Sequence, residues 1–288
     1  MLKLKSQLRE LENTNLTHLK QDELDVLIDN MLENIGSIDP ELRDSLIFPT
    51  FLKLIDGEIL SSQQYQDILE ICLDNEHLFF RIGDKYTDSV FTRSFSSLII
   101  AGLLNKDSQL GFFSEDTVKY AFSRSIEYLK NERDTRGYVE MKGWAHSIAH
   151  GADLLVAQVK HPKFKMEDSK EILNTIHNCL LKDAAYIDEE DERLVFVIEA
   201  LIDKNIPIKS LEDWIAGLLN DLELIYAIEG FSNNYFRTKF NITNFLKSLY
   251  FIIGFKNEKC RLRELINSHL KSLHQKLYGV SESLTDKT

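Results

Sequence analysis

Proline, glycine and cysteine are all scarce in this chain. Four prolines and 12 glycines among 288 residues leave few points at which a helix must stop, and long segments place apolar residues three and four apart. An almost wholly helical fold follows, with next to no strand alternation. The three cysteines, Cys72, Cys179 and Cys260, form no CxxC or CxxxC pattern, which argues against a zinc finger or a redox motif. They read as small buried hydrophobes in a reducing cytosol. The longest apolar run, Leu98 to Leu104, has seven residues against the roughly 20 that cross a bilayer. MLKLKSQLRELE at the amino terminus has no apolar core of signal-peptide length, so a soluble, cytoplasmic protein is expected. Positive charge is short as well: 34 Lys and Arg face 46 Asp and Glu, a formal net charge of −12. With the basic residues scattered among acids, this disfavours a nucleic-acid partner. GxGxxG, P-loop, GxSxG and EF-hand patterns are all missing.

What is present is a series of helices with marked ends. Asp39-Pro40, Ser61-Ser62 and Ser114-Glu-Asp supply starts, while Gly83, Gly111, Gly137 and His161-Pro162 supply stops or bends. Together they predict helices at 2–12, 21–35, 39–56 (broken at Pro49), 61–74, 88–105, 114–131, 142–160, 167–182, 190–204, 209–228, 236–254 and 257–278. From residue 88 onward these fall into pairs beginning near 88, 142, 190 and 236. That spacing suits stacked helical hairpins, a HEAT- or armadillo-like α-solenoid, with an irregular helical bundle as the alternative. No linker rich in Pro, Gly or Ser divides the chain, so residues 1–278 read as one all-helical domain and 279–288 as a polar tail.

Polar residues placed as if for chemistry concentrate in RGYVEMKGWAHSIAHGADLL, residues 136–155. On a helix from Gly143 to Val156, His150 falls about 40° from His146 and Asp153 within about 20°, giving one polar stripe. Trp144, Ile148 and Leu155 would anchor the opposite side. His146 and His150 could hold zinc or another divalent metal through two imidazoles, given a third ligand from elsewhere. Asp153 is better placed to orient His150 through an i, i+3 hydrogen bond. Ser147 stands where an HExxH site needs its glutamate, and the chain has no adjacent His-Asp pair.

Asp134, Arg136 and Tyr138 lie on the connection into this helix, where ligand contacts are natural; the equal alternative is Asp134 as a cap and Arg136 as half of a local ion pair. Glu190, Asp191 and Arg193 open a later helix, where carboxylates offset the positive end of the helix dipole, and one of them is expected to face the histidines. Arg93, on a mostly apolar helix, either lines the same pocket or is paired internally.

The segment RGYVEMKGWAHSIAHGADLL resembles the most distinctive motif of a bacterial family known as domain of unknown function 2785. DPELRDSL at 39–46, FTRSFSSLIIAGLL at 91–104 and EDERLVFVIEALI at 190–202 are similar to that family too, and FLKSLYF at 245–251 more weakly. The resemblance implies a helical, cytoplasmic protein of Gram-positive type and carries no established activity or catalytic residues. The expected function is therefore read from the residues. It is binding of a small molecule or peptide, without a cofactor, in a polar pocket lined by Arg93, Asp134, Arg136, Tyr138, Trp144, His146, His150, Asp153, Glu190, Asp191 and Arg193, with Arg136 or Arg93 neutralising an anionic group. The alternative is a hydrolase in which the same histidines hold a divalent metal or one acts as general base.

Overall fold

Apolar stripes on short helices need partners, and here they find them in the neighbouring helices of one continuous core that runs from Leu4 to Leu273. The computed structural model describes residues 2–12, 14, 16–256 and 260–279; most of the expected polar tail, 280–288, and the expected start of the last helix at 257–259 lie outside the described residues. Among those described there are twelve α-helices: α1 (Leu2–Leu11), α2 (Gln21–Glu33), α3 (Phe48–Asp56), α4 (Ser62–Cys72), α5 (Ser89–Leu110), α6 (Glu115–Asn131), α7 (Ser147–Lys160), α8 (Ser169–Leu180), α9 (Glu190–Asp203), α10 (Ile208–Glu229), α11 (Asn233–Lys256) and α12 (Arg261–Tyr278). The fold is all-α. Helices α5, α7, α9 and α11 pack side by side in that order, α6 packs on α8, and α10 on α12. This packing is consistent with either a helical bundle or a solenoid of stacked hairpins. Cys72 and Cys179 are buried in the core.

Two elements depart from the sequence expectation. Pro49 does not break its helix: a π-helix over Glu41–Ile47 runs straight into α3, with proline in the first turn of the α-helical part. The widened turn accommodates a residue that has no N–H and whose ring crowds the carbonyl four residues earlier. The second departure matters more. α7 starts at Ser147, not near 142, because Tyr138–Val139 and Gly143–Trp144 pair as a short antiparallel hairpin (β1 and β2), with Tyr138 opposite Trp144 and Val139 opposite Gly143. The ladder continues through Ala145 N–H to Gly137 O (2.8 Å) and His146 N–H to Arg136 O (3.0 Å).

The close approaches that fix this region depend on glycine. At Gly151 in α7, a Cβ would lie 2.4 Å from a Leu129 methyl of α6, so glycine lets these two helices meet. Gly143 has φ +78°, and a Cβ there would be 2.8 Å from Pro40 and 3.1 Å from the Arg43 guanidinium.

Arg93, expected either to line a pocket or to be paired, is paired. It is wholly buried on α5, and its Nε and Nη2 donate to the two oxygens of Glu132 at 2.7 and 2.8 Å. Its Nη1 donates to Phe80 O at 2.9 Å. Glu132, just past α6, also accepts from the amides of Arg133 and Asp134, both at 2.9 Å. Removing one member of such a pair strands a charge in the interior, at a cost of about 3–5 kcal/mol. Glu132→Ala is expected to lower stability by about that amount in urea unfolding. The double variant Arg93→Met/Glu132→Leu should lose clearly less than the sum of the single losses; simple additivity would show that the two groups are not coupled.

Candidate functional site

The site is organised by the β1–β2 hairpin, and the hairpin is organised by Arg43. This arginine is fully buried on the π-helix, with its guanidinium over the rings of Phe91 (4.1 Å) and Phe95 (4.8 Å). It donates to Ser37 O, to Lys142 O (2.7 Å) and to Trp144 O (3.4 Å), and it lies 2.7 Å from the Asp44 carboxylate. The Asp44 carboxylate in turn accepts from the Trp144 amide. A cation satisfied largely by carbonyls and aromatic faces thus clamps the hairpin from a point about a hundred residues earlier in the chain.

His146 is where hairpin becomes helix. It takes the left-handed conformation (φ 46°, ψ 34°) immediately before α7, so the two histidines do not share a helical face as the sequence spacing suggests. Their rings still meet, edge to face, with centroids 5.7 Å apart. Trp144, expected to be an apolar anchor on the back of the helix, instead stacks on His146 at 4.3 Å and stays 41% exposed. The reason is local: with the helix starting at Ser147, Trp144 belongs to an extended strand and takes no part in the 100° periodicity. Tyr138, 53% exposed, stands edge-on to Trp144 at 5.0 Å. From Tyr138 through Trp144, His146 and His150 to Phe95, rings step from surface to core.

His150 belongs to the buried end of this series. Ser94 Oγ donates to Ala145 O and lies 2.7 Å from His150 Nδ1. With its one proton so used, the hydroxyl must accept from Nδ1–H, which fixes the neutral tautomer. Burial, with His146 and Arg193 nearby, holds the His150 pKa well below the ordinary histidine value.

Asp153 does not orient His150. Both its oxygens accept from Arg193 Nη1, at 2.7 and 2.8 Å, tying α7 to α9. Arg136 is likewise committed, its Nε and Nη2 donating to Asp134 at 2.8 and 2.6 Å and Nη2 also to Thr87 O at 2.7 Å. Neither Arg136 nor Arg93 is free to neutralise an anionic ligand, so that expectation is corrected. The sequence pattern shows which residues carry charge but not which internal carboxylates consume it.

Glu190 is the acid that faces the histidines. Its carboxylate lies 3.8 Å from His146 Nε2, a nitrogen that is buried and has no hydrogen-bond partner among the described residues. Glu190 Oε2 accepts from the Asp188 amide at 3.0 Å. Burial, opposed by these local amides and aided by Asp188 and Asp191, pushes the Glu190 pKa up to about 7. Burial also lowers that of His146, against the backbone of Asp188. Asp191 is turned toward a groove between α9 and α11.

Sequence reasoning missed Asp188, which joins hairpin to α9. Its Oδ2 accepts from the Tyr138 amide at 3.0 Å, and a Cβ on Gly137 would sit 2.1 Å from that oxygen. The signal available was Gly137 itself, read only as a stop. Arg43 and Asp44 were also passed over, although DPELRDSL contains both.

Among the described residues no group of three His, Cys, Asp or Glu side chains is placed to hold an ion, and with Nδ1 of His150 against Ser94, only its Nε2 is left to act as a ligand. No helix among those described is long and apolar enough to cross a membrane.

The pH dependence has a definite sign. A carboxyl whose folded-state pKa is raised costs nothing below about pH 4.5, where it is protonated folded and unfolded alike; the penalty grows between about 4.5 and 7 and is complete above. Glu190→Gln is therefore expected to raise Tm at pH 8, with the gain vanishing near pH 4. An unchanged Tm at pH 8 would mean that Glu190 ionises at no cost.

A family model described as Protein of unknown function (DUF2785) matches residues 78–251, a span that holds the hairpin, α7 and α9 but starts after DPELRDSL. No curated protein and no solved structure matches the chain.

Proposed function

The chain belongs to the DUF2785 family, which brings no activity with it, and from the chain's own geometry we propose that it is a binding protein taking a small molecule or peptide group at the Tyr138–Trp144–His146 platform. One observation carries this reading: among the described residues His146 Nε2 has no hydrogen-bond partner, under a half-exposed indole and 3.8 Å from a carboxyl whose pKa is pushed up to about 7. A buried acceptor without a donor costs about 1–3 kcal/mol, and a ligand N–H or O–H would relieve it if the Trp144 indole that covers His146 swings aside to admit it. The open faces of Trp144 and Tyr138 suit a flat or apolar group beside that donor. The nearby arginines are all paired internally, which favours a neutral or cationic ligand over an anionic one.

The second reading, an enzyme, is supported in its metal-free form alone. His146 and Glu190 set an imidazole 3.8 Å from a carboxyl, beyond direct hydrogen-bond reach as placed but near enough for a small side-chain movement to join them as a general base and its partner. For the zinc-dependent form, no third ligand is placed with the two histidines among the described residues.

Trp144 is its own reporter, because the only other tryptophan, Trp214, is buried against α8 with its Nε1–H donating to Leu173 O at 2.8 Å. In a Trp214→Phe background, a panel of amino-acid amides, aryl amines and nucleosides is titrated while Trp144 emission is followed. Binding that shifts the emission and weakens about tenfold or more in His146→Gln and Trp144→Ala is the expected result. A ligand whose affinity is indifferent to both substitutions would place recognition elsewhere.

A further inference from the structure

The loop that carries Asp188 has a second side. There, α9 and α11 leave an open groove of about 660 Å³, with Glu189, Asp191 and Glu192 on one wall and Phe240, Phe251 and Phe255 on the other. From Phe240 to Phe255 the groove follows α11 for about 22 Å, at 1.5 Å per residue, too long and too open for a compact metabolite. The three phenylalanines are exposed, Phe255 by 83%, and they fall on one stripe of α11.

The position of the acids at the start of α9 suits its dipole, but that does not account for the aromatic wall opposite, nor for the missing counter-charge. Among the described residues none of the three acids forms an ion pair, whereas the cations around them are engaged: Arg193 with Asp153, and Lys256 with Glu199 and Asp203. Among the described residues Lys247 is the sole basic one lining the groove.

We propose that this groove docks an amphipathic helical segment of another protein, its apolar face on Phe240, Phe251 and Phe255 and its lysines or arginines against Glu189, Asp191 and Glu192. The length matches about four helical turns, the mode is a helix laid in a groove, and the charge selects a basic segment over an acidic one. The site is separate from the Trp144 platform and does not depend on it.

The test uses the full chain and two fluorescein-labelled designed peptides of 14 residues, identical in their leucines and carrying either lysine or glutamate at every polar position. The lysine peptide is expected to bind by fluorescence anisotropy, more weakly as salt rises, and the glutamate peptide not to bind. Glu189→Gln/Glu192→Gln and Phe251→Ser/Phe255→Ser alter exposed side chains only, and each is expected to weaken binding about tenfold or more at unchanged Tm. Failure of the lysine peptide to bind, or binding that neither double variant weakens, would overturn the proposal. So would a concentration-dependent dimer in sedimentation that Phe251→Ser/Phe255→Ser abolishes, since the face would then belong to a second copy.

Discussion

The buried guanidinium of Arg43 is the interaction on which this arrangement rests. Placing a cation out of water is expensive unless every donor finds an acceptor. Here Nη1 and Nη2 find backbone carbonyls of the Ser37 turn and of the hairpin, two aromatic faces cover the guanidinium, and Nε lies 2.7 Å from the Asp44 carboxylate in an ion pair without hydrogen-bond geometry. Because those carbonyls come from distant segments, satisfying one side chain fixes the position of the hairpin against α5. The hairpin in turn sets where α7 begins, and so where His146 points. The left-handed backbone at His146 is tolerated because it is held from both sides, by the strand ladder before it and by α7 after it.

Much of the fold was legible in the sequence. Scarce proline and glycine, together with apolar spacing, put all twelve helices near their places, since each helix is decided by residues within its own length. The hairpin was not legible. Its strands are two residues each, too short for any alternation to register, and it exists because Arg43 and Asp188 reach it from elsewhere. A periodicity argument therefore extended α7 back over Gly143 and Trp144 and placed Trp144 on the wrong side. The same locality explains the site. That His146 and His150 lie together and that one of Glu190, Asp191 and Arg193 faces them was readable from the pattern, as was a local partner for Arg136, whereas Arg93 and Glu132 are 39 residues apart and Asp153 and Arg193 40.

Once those pairs are drawn, the chemistry of the region changes character. Four groups that looked available for a ligand are engaged in holding α5, α7, α9 and the inter-helix loops together. What is left around the histidines includes an imidazole nitrogen without a hydrogen-bond partner among the described residues, a carboxyl that is reluctant to ionise, and a row of carboxylates at the start of α9. The negative balance of the whole molecule is therefore expressed locally, at the surfaces with something left to offer.

The long reach of Arg43 also separates two notions of a unit. The stretch of recognisable family similarity starts at residue 78, yet the side chain that seats the aromatic hairpin enters from residue 43. A fragment trimmed to the similar stretch would keep every ring of the platform and lose the peg beneath it, leaving the Lys142 and Trp144 carbonyls without their donor. Sequence kinship here marks where residues are shared, while cooperativity extends further toward the amino terminus.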